Sequence, residues 1–258
     1  MHFEHRFTKY QAAGNDFILI DAREPVVRQK IAALTRSDLA KICDRRFGIG
    51  ADGIILLLSH PEYDFEMKNY NSDGGECSMC GNGGRSLVHF AHSLGLKKNS
   101  YRFLATDGVH EAKIEGNLIH LKMQDVTTGT PTPFGITFNT GSPHLIRNVK
   151  NLMSIEVVSE GRNLRNSPLF MPGGININFI EDIDGQLFIR TYERGVEDET
   201  LSCGTGVIAA ALAVNHASGE TSIQARGGML TVKFEKNEAG FKNIWLIGPA
   251  EKTFEGTI

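Results

Sequence analysis

Cys80-Gly-Asn-Gly83 and Cys203-Gly-Thr-Gly206 set the same group of residues down twice in one chain. Each motif runs into a segment of helical periodicity, so each cysteine is expected at a helix N-terminus. Backbone N–H groups there have no partner inside the helix and carry partial positive charge. That setting lowers a thiol pKa from about 8.5 toward neutrality and makes thiolate available. Glycine lets the backbone approach a ligand closely, and the N–H groups of Gly81, Asn82, Gly204 and Thr205 suit a carboxylate. If the two halves face each other, one cysteine lies on each side of the carbon next to that carboxylate. One cysteine removes the proton as thiolate, and the charge spreads into the carboxylate under its N–H donors. The other returns a proton as thiol, and the carbon is inverted. This chemistry needs neither metal nor organic cofactor.

The elements that position the two motifs also read as a repeat. Residues 68–86 and 190–208 each carry a strand-like segment ending at Tyr (Tyr70, Tyr192), then an acidic, Gly-containing loop with a Glu (Glu76, Glu199) four residues before the Cys. The offset is close to half the chain. Further on, Ala105-Thr-Asp-Gly108 lies over Ala225-Arg-Gly-Gly228, each reading as a Gly-turned hairpin. After Cys80, the residues Leu87, Val88, Phe90, Ala91 and Leu94 fall at helical spacing, with Gly95 as a stop. After Cys203 the run Val207 to Val214, ending near Gly219, is apolar on all sides and is expected to be buried all round.

Strands are expected over Phe17–Asp21, Gly53–Leu58, Asp64–Tyr70, Leu118–Met123, Gly174–Ile180, Gln186–Tyr192 and Asn243–Ile247. One further helix fits Ser37–Phe47, capped by Thr35 or Ser37. Each half thus reads as a curved sheet packed around one buried helix, an α+β fold. The expected domains are residues 1–116 with 250–258, carrying Cys80, and residues 117–249, carrying Cys203.

Composition is ordinary for a globular protein, with 41% hydrophobic and 22% charged residues in 258. A net charge of −3 and no basic run give no reason to expect nucleic acid or an anionic membrane as partner. The N-terminus, Met1 to Arg6, lacks the apolar stretch of a signal peptide, and no aliphatic run is long enough to span a bilayer. A soluble, cytoplasmic protein is expected. Four cysteines are too sparse for a disulfide framework.

Several motifs carry less. Gly48-Ile-Gly50-Ala-Asp-Gly53 matches a dinucleotide fingerprint letter for letter, but a helical segment precedes it and a strand follows, the reverse of what nucleotide binding needs. It reads as a tight helix-to-strand turn. Cys77 with Cys80 forms one C-x-x-C, which cannot complete a four-ligand zinc site. Cys43 falls on the apolar face of its helix and reads as a buried core thiol.

Taken together, the sequence resembles the diaminopimelate epimerase family. The resemblance rests on Gly14-Asn-Asp-Phe17, Gly48-Ile-Gly-Ala-Asp52, Tyr70-Asn-Ser-Asp-Gly74, Met79-Cys-Gly-Asn-Gly83 with Arg85, Ser142-Pro-His144, Asn176, Tyr192-Glu-Arg-Gly195 and Glu199-Thr-Leu-Ser-Cys-Gly-Thr-Gly206. It implies two pseudo-symmetric domains, each a mixed, largely antiparallel sheet rolled around a central helix. It implies conversion of L,L-diaminopimelate to the meso form on the way to lysine and peptidoglycan, without cofactor, with Cys80 and Cys203 as the catalytic pair. It implies substrate contacts from Asn15, Asn71, Asn176, Glu193 and Arg194, and a homodimer. A guanidinium and amides suit the substrate's second carboxylate, and Glu193 suits its ammonium. Ser142 and Gly53 depart from the Asn and Gln common in the family; both lie near substrate there, and a water or a neighbour such as His144 is expected to fill the gap left by the shorter Ser142.

A related two-cysteine racemase acting on proline or hydroxyproline is the nearest alternative, but its motif resembles Cys-Gly-His-Gly where this chain has Cys80-Gly-Asn-Gly. A non-catalytic amino-acid-binding or thiol-redox protein is the alternative from another class.

Overall fold

The computed structural model describes residues 5–215 and 217–258. The first four residues of the N-terminal segment considered above lie outside the described residues. The chain divides into two compact units, residues 1–121 with 249–258, and residues 122–248.

The first unit contains β1 (Arg6–Ala12), β2 (Asn15–Asp21), α1 (Pro25–Ala32), α2 (Arg36–Cys43), β3 (Gly53–Leu58), β4 (Phe65–Asn71), β5 (Glu76–Cys77), α3 (Gly81–Ser93), β6 (Ser100–Ala105), β7 (Gly108–Glu115) and β8 (Leu118–Lys122). The C-terminal strand Glu251–Thr257 pairs with β1, and the sheet continues through β2, β3, β4, β6, β7 and β8. Only β2–β3 and β4–β6 are parallel. Residues 116 and 117, expected to separate the domains, form the turn between β7 and β8. The division falls later because β8 pairs back onto β7.

Strand β3 is buried along its whole length, as a central strand covered on both faces must be. Ile54, Leu56 and Leu58 pack with Val27 and Ile31 of α1 and Leu39 and Cys43 of α2. Ile55 faces the other way, against Gly83 of α3. Helix α3 packs on β1, β2, β3, β7 and the C-terminal strand, so the sheet curls around it.

Helix α2 begins as expected at Thr35, whose hydroxyl forms a reciprocal capping box with Asp38. It ends at Cys43, short of the expected Phe47. Asp44 leaves the helix, and its carboxylate accepts the N–H groups of Arg46 and Phe47. The N–H groups of Ile49 and Gly50 return to the carbonyl of Ile42. A Cβ at Gly48 would sit 2.1 Å from the Lys41 carbonyl oxygen, and Gly50 has φ +80°. The Gly-x-Gly sequence is therefore the tight turn that the reversed element order implies.

The second unit contains β9 (Val126–Thr127), β10 (Thr130–Thr132), β11 (Gly135–Asn139), β12 (Pro143–Asn148), α4 (Val157–Arg165), β13 (Asn176–Ile183), β14 (Gln186–Glu193), β15 (Asp198–Thr200), α5 (Gly204–Val214), β16 (Gly219–Ala225), β17 (Gly228–Asn237) and β18 (Gly240–Pro249). Strands β11 to β18 pair with one another in the same order and senses as β1 to β8. Here β12–β13 and β14–β16 are the parallel pairs. The registers repeat as well. Tyr70 stands opposite Glu76 and Tyr192 opposite Glu199. Ala105 faces Gly108 and Ala225 faces Gly228 across two-residue turns.

Helix α5 packs on β11, β12, β13, β14, β16 and β17. It stops at Val214 rather than near Gly219, which opens β16. Asn215 is extended, and its amide bonds the Ala211 carbonyl and the Thr221 hydroxyl. Every residue from Val207 through Ala211 is fully buried, and this stretch spans more than one helical turn. An aspartate at any position from Val207 to Ala211 is therefore expected to cost roughly 3–5 kcal/mol, read as a shift in the urea midpoint. A position in this stretch that accepts aspartate without loss would show that the helix has an open face.

Candidate active site

Cys80 is the N-cap of α3 and Cys203 the N-cap of α5; both have extended backbone, and neither side chain caps its helix. The first intrahelical bonds run from Gly84 N–H to the Cys80 carbonyl (2.8 Å) and from Val207 N–H to the Cys203 carbonyl (2.9 Å). The N–H groups of Gly81, Asn82, Gly204 and Thr205 precede those bonds and point out of the helix starts.

In the first unit, the Cys80 thiol donates to Asn15 Oδ1 (3.7 Å). The same oxygen accepts from the Asn82 amide (3.4 Å). Asn15 in turn donates to Asp52 Oδ2 (2.5 Å). Arg45 bonds both Asp52 (2.7 Å) and Asp16 (2.6 Å), and Lys9 pairs with Asp16 at 2.7 Å. Burial opposes ionisation of Asp16, but hydrogen bonds from Arg45 and Lys9 outweigh it and hold the carboxyl down at about 2. The turn between α2 and β3 thus orients Asn15 toward the sulfur. Asn71 is exposed at the end of β4, opposite Gly53 in register; this is the sheet end from which Asn15 reaches Asp52. A Cβ at Gly53 would lie 2.5 Å from the Tyr70 carbonyl oxygen, so a longer residue there requires β3 and β4 to shift.

One turn beyond Cys80, Arg85 is fully buried. Its guanidinium donates to Asn82 Oδ1 (2.8 Å) and to the Gly81 carbonyl (3.3 Å).

In the second unit a hydroxyl and an imidazole stand beside the sulfur. Thr205 Oγ1 lies 3.4 Å from the Cys203 sulfur, 2.9 Å from His144 Nε2 and 3.3 Å from Ser142 Oγ. Ser142 also meets His144 Nε2 at 2.9 Å, so His144 does stand beside the shorter side chain. The Asn178 amide donates to the Leu145 carbonyl, which fixes its orientation, and to His144 Nδ1 (both 3.1 Å). His144 therefore carries its proton on Nε2 and donates toward Thr205 and Ser142. Gly206 is required here, because a Cβ would lie 2.4 Å from Asn178 Oδ1. Asn176 donates to Ser142 and the Pro143 carbonyl and accepts the backbone N–H of Arg194. Arg194 reaches the Gly173 carbonyl at 3.2 Å. Glu193 ends β14, half-buried, and its carbonyl accepts the Glu197 N–H.

The structure thus gathers Cys80, Asn15, Gly81 and Asn82 at one helix start. At the other it gathers Cys203, Gly204, Thr205, Ser142, Asn176 and Arg194. Asn71 and Glu193 stand at the ends of β4 and β14. Sequence reasoning missed Asp52, Arg45 and Asn178. Asn178 was findable, since it lies two residues from Asn176 and so shares its face of β13. Cys43 is buried, and burial pushes its thiol up to about 11, as for a core residue. Burial also raises Cys77 to about 11, an unreactive thiol at neutral pH.

The family model for diaminopimelate epimerase matches residues 7–132 and 136–253. The chain is 48% identical to the diaminopimelate epimerase of Flavobacterium psychrophilum, over 97% of this chain and 98% of that one. It is 42% identical to that of Chlorobaculum tepidum, over 95% and 98%. Among solved structures, a PhzF-family phenazine biosynthesis protein of Bacillus anthracis superposes with TM-score 0.78 at 16% identity, covering 100% of this chain and 99% of that one. A hydroxyproline epimerase from Agrobacterium vitis superposes with TM-score 0.69 at 13% identity, covering 100% and 91%. At such identities these two likenesses speak to the fold alone.

The neutral state of His144 has a measurable consequence. Burial, helped by the charge of Arg194, pushes the imidazole down to about 3. An unfolded histidine takes its proton near about 6.5. The stability this group contributes is therefore full above that value and is lost as pH falls toward about 3, by at most about 1.4 kcal/mol per pH unit. The His144 imidazole resonances are expected to hold their neutral-form positions down to about pH 4.5; titration above that value would contradict the buried neutral imidazole.

Proposed function

The chain belongs to the diaminopimelate epimerase family, and we propose that Cys80 and Cys203 are the acid–base pair with which it interconverts L,L-diaminopimelate and meso-diaminopimelate. The supporting observation is that two cysteines occupy the N-cap positions of two buried helices at the same step of a repeated strand order. One thiolate removes the alpha proton, and the other thiol supplies a proton from the opposite face of the carbon. The developing charge spreads into the alpha carboxylate. The N–H groups of Gly81, Asn82, Gly204 and Thr205 hold it, a kind of stabilisation worth about 2.7–4 kcal/mol per well-placed donor. In the reverse direction the two sulfurs exchange roles.

The rest of the substrate is a second amino-acid end. Arg194 offers a cation for its carboxylate and Glu193 a carboxylate for its ammonium, with Asn15, Asn71, Ser142 and Asn176 supplying hydrogen bonds. The product serves lysine biosynthesis and, through the meso isomer, peptidoglycan assembly. No helix among the described residues is long and apolar enough to cross a membrane. A cytoplasmic location and a homodimer complete the reading.

Alpha-proton exchange in deuterium oxide tests it. With L,L-diaminopimelate the wild-type protein is expected to form deuterated meso product. Cys80→Ala and Cys203→Ala should each lower epimerisation by roughly 10²–10⁴-fold while the protein stays folded. Deuterium appearing in L-proline and not in diaminopimelate would reject the substrate, and full epimerisation by either alanine variant would reject the pair.

A further inference from the structure

We propose that Glu197 is a positioning residue that fixes the backbone of the turn following Glu193 and carrying Arg194, and so sets how tightly the far end of the substrate is held. The inference rests on the reading above, in which Arg194 meets the second carboxylate, and adds the residue that aims it.

The turn between β14 and β15 is residues 194–197, closed by a 2.8 Å bond from the Glu197 N–H to the Glu193 carbonyl. Two of its residues have left-handed backbone, Gly195 with φ +95° and Glu197 with φ +62°. Glycine adopts that region freely, whereas a glutamate there is strained and persists only where its surroundings over-determine it. Here they do. Glu197 Oε1 accepts the Gly195 N–H at 2.9 Å and stands 3.0 Å from Arg165 Nε, and Oε2 accepts the Tyr192 hydroxyl at 2.9 Å. Tyr192 is fully buried, and a Cβ at Gly161 of α4 would lie 2.4 Å from the tyrosine Cβ, so the ring is wedged against the helix that carries Arg165. The Gly195 N–H holds the Glu197 carboxyl below the usual carboxylate range, which keeps it charged at neutral pH. Asn176 Oδ1 accepts the Arg194 N–H at 2.8 Å. Two successive N–H groups, those of Arg194 and Gly195, are therefore each bound by a side chain. The planar peptide units on both sides of the Arg194 Cα are then set, and with them the direction in which the arginine leaves the turn.

The first unit supports the assignment. Its matching turn, between β4 and β5, is also held by a carboxylate: Asp73 Oδ1 accepts the Gly75 N–H at 2.8 Å, and Asp73 pairs with Arg36 of α2. There the left-handed residue just before the strands pair again is Gly74, with φ +76°. The second turn is longer, since five residues separate Tyr70 from its partner Glu76 and six separate Tyr192 from Glu199. Closing the turn asks only for glycine at that point. The glutamate adds a carboxylate that reaches back over Val196 to Gly195 and ties the turn to α4.

Steady-state kinetics of epimerisation separates binding from chemistry. Glu197→Ala keeps a non-glycine residue in the left-handed region and removes only the carboxylate. It should raise KM for L,L-diaminopimelate about tenfold with kcat within about threefold, the pattern of lost binding rather than lost chemistry. Glu197→Gln, which can still accept the Gly195 N–H, should recover most of that KM. In an Arg194→Ala background, Glu197→Ala should raise KM by less than about twofold more, because the two changes act through one contact. A merely structural residue would show its full effect in both backgrounds. Unchanged KM in folded Glu197→Ala, an effect confined to kcat, or full additivity with Arg194→Ala overturns the proposal. Should Glu197→Ala not fold, Tyr192→Phe takes its place, since it removes one hydroxyl and keeps the ring. A KM rise of about threefold is then expected for the lost hydrogen bond, and no rise overturns the proposal. A wild-type protein that leaves diaminopimelate unchanged would refute the substrate reading and this inference with it, whereas an active wild type with unchanged variants refutes this inference alone.

Discussion

A buried helix must begin somewhere, and its first N–H groups must find partners or remain open. Most helices close that end with Ser, Thr, Asp or Asn, whose side chains accept one of the orphan donors and add about 1 kcal/mol. Helices α3 and α5 begin instead with cysteines that make no cap bond. By contrast α2, a surface helix of the same chain, carries a full capping box. Helices α1 and α4 also start without a side-chain cap, but α3 and α5 set a thiol beside the open donors. The rest of each unit follows from this. The sheet encloses the helix so that its stability comes from burial, and glycines at Gly83 and Gly206 let the first turn press against Ile55 and Asn178.

Those two helix starts have kept the same backbone but not the same surroundings. Strand order, senses and registers repeat from one unit to the other, down to the Tyr opposite Glu before each cysteine. The side chains behind the sulfurs have diverged. Behind Cys80 stand an amide relay anchored in an ion cluster and a buried cation. Behind Cys203 stands a hydroxyl held by a neutral imidazole. Backbone geometry is set by glycine and by sheet pairing, which tolerate little change, whereas the polar support is a few side chains that can be exchanged singly.

This division also explains what the sequence made legible. The cysteines, the glycines after them, the hairpins and the alternating strands are local signals, and each was readable from neighbours within a few residues. Strand β3 was found at its observed limits because an unbroken run of Ile and Leu between turn residues has few other uses. Helices α1 and α4 were missed. In their eight and nine residues α1 buries only Val27 and Ile31 and α4 only Val157, Gly161 and Leu164, too few for a period to emerge. The end of α2 was misplaced because Asp44, which reads as helical in sequence, turns its carboxylate onto the next N–H groups. The support of Asn15 by Asp52 was invisible for a different reason. It joins residues far apart in sequence, and Asp52 lies in a motif that reads only as a turn.

Inversion by two sulfurs places a demand that exact duplication would not meet. The pair must hold one proton between them at rest, since two thiols offer no base and two thiolates offer no acid. Identical surroundings would push both sulfurs the same way, toward the thiol or toward the thiolate together. The exchanged side chains behind the sulfurs break that equivalence, with an amide oxygen facing Cys80 and a hydroxyl held by an imidazole facing Cys203. The bias must stay modest, because in the reverse direction the roles exchange and an excessive preference would slow that step.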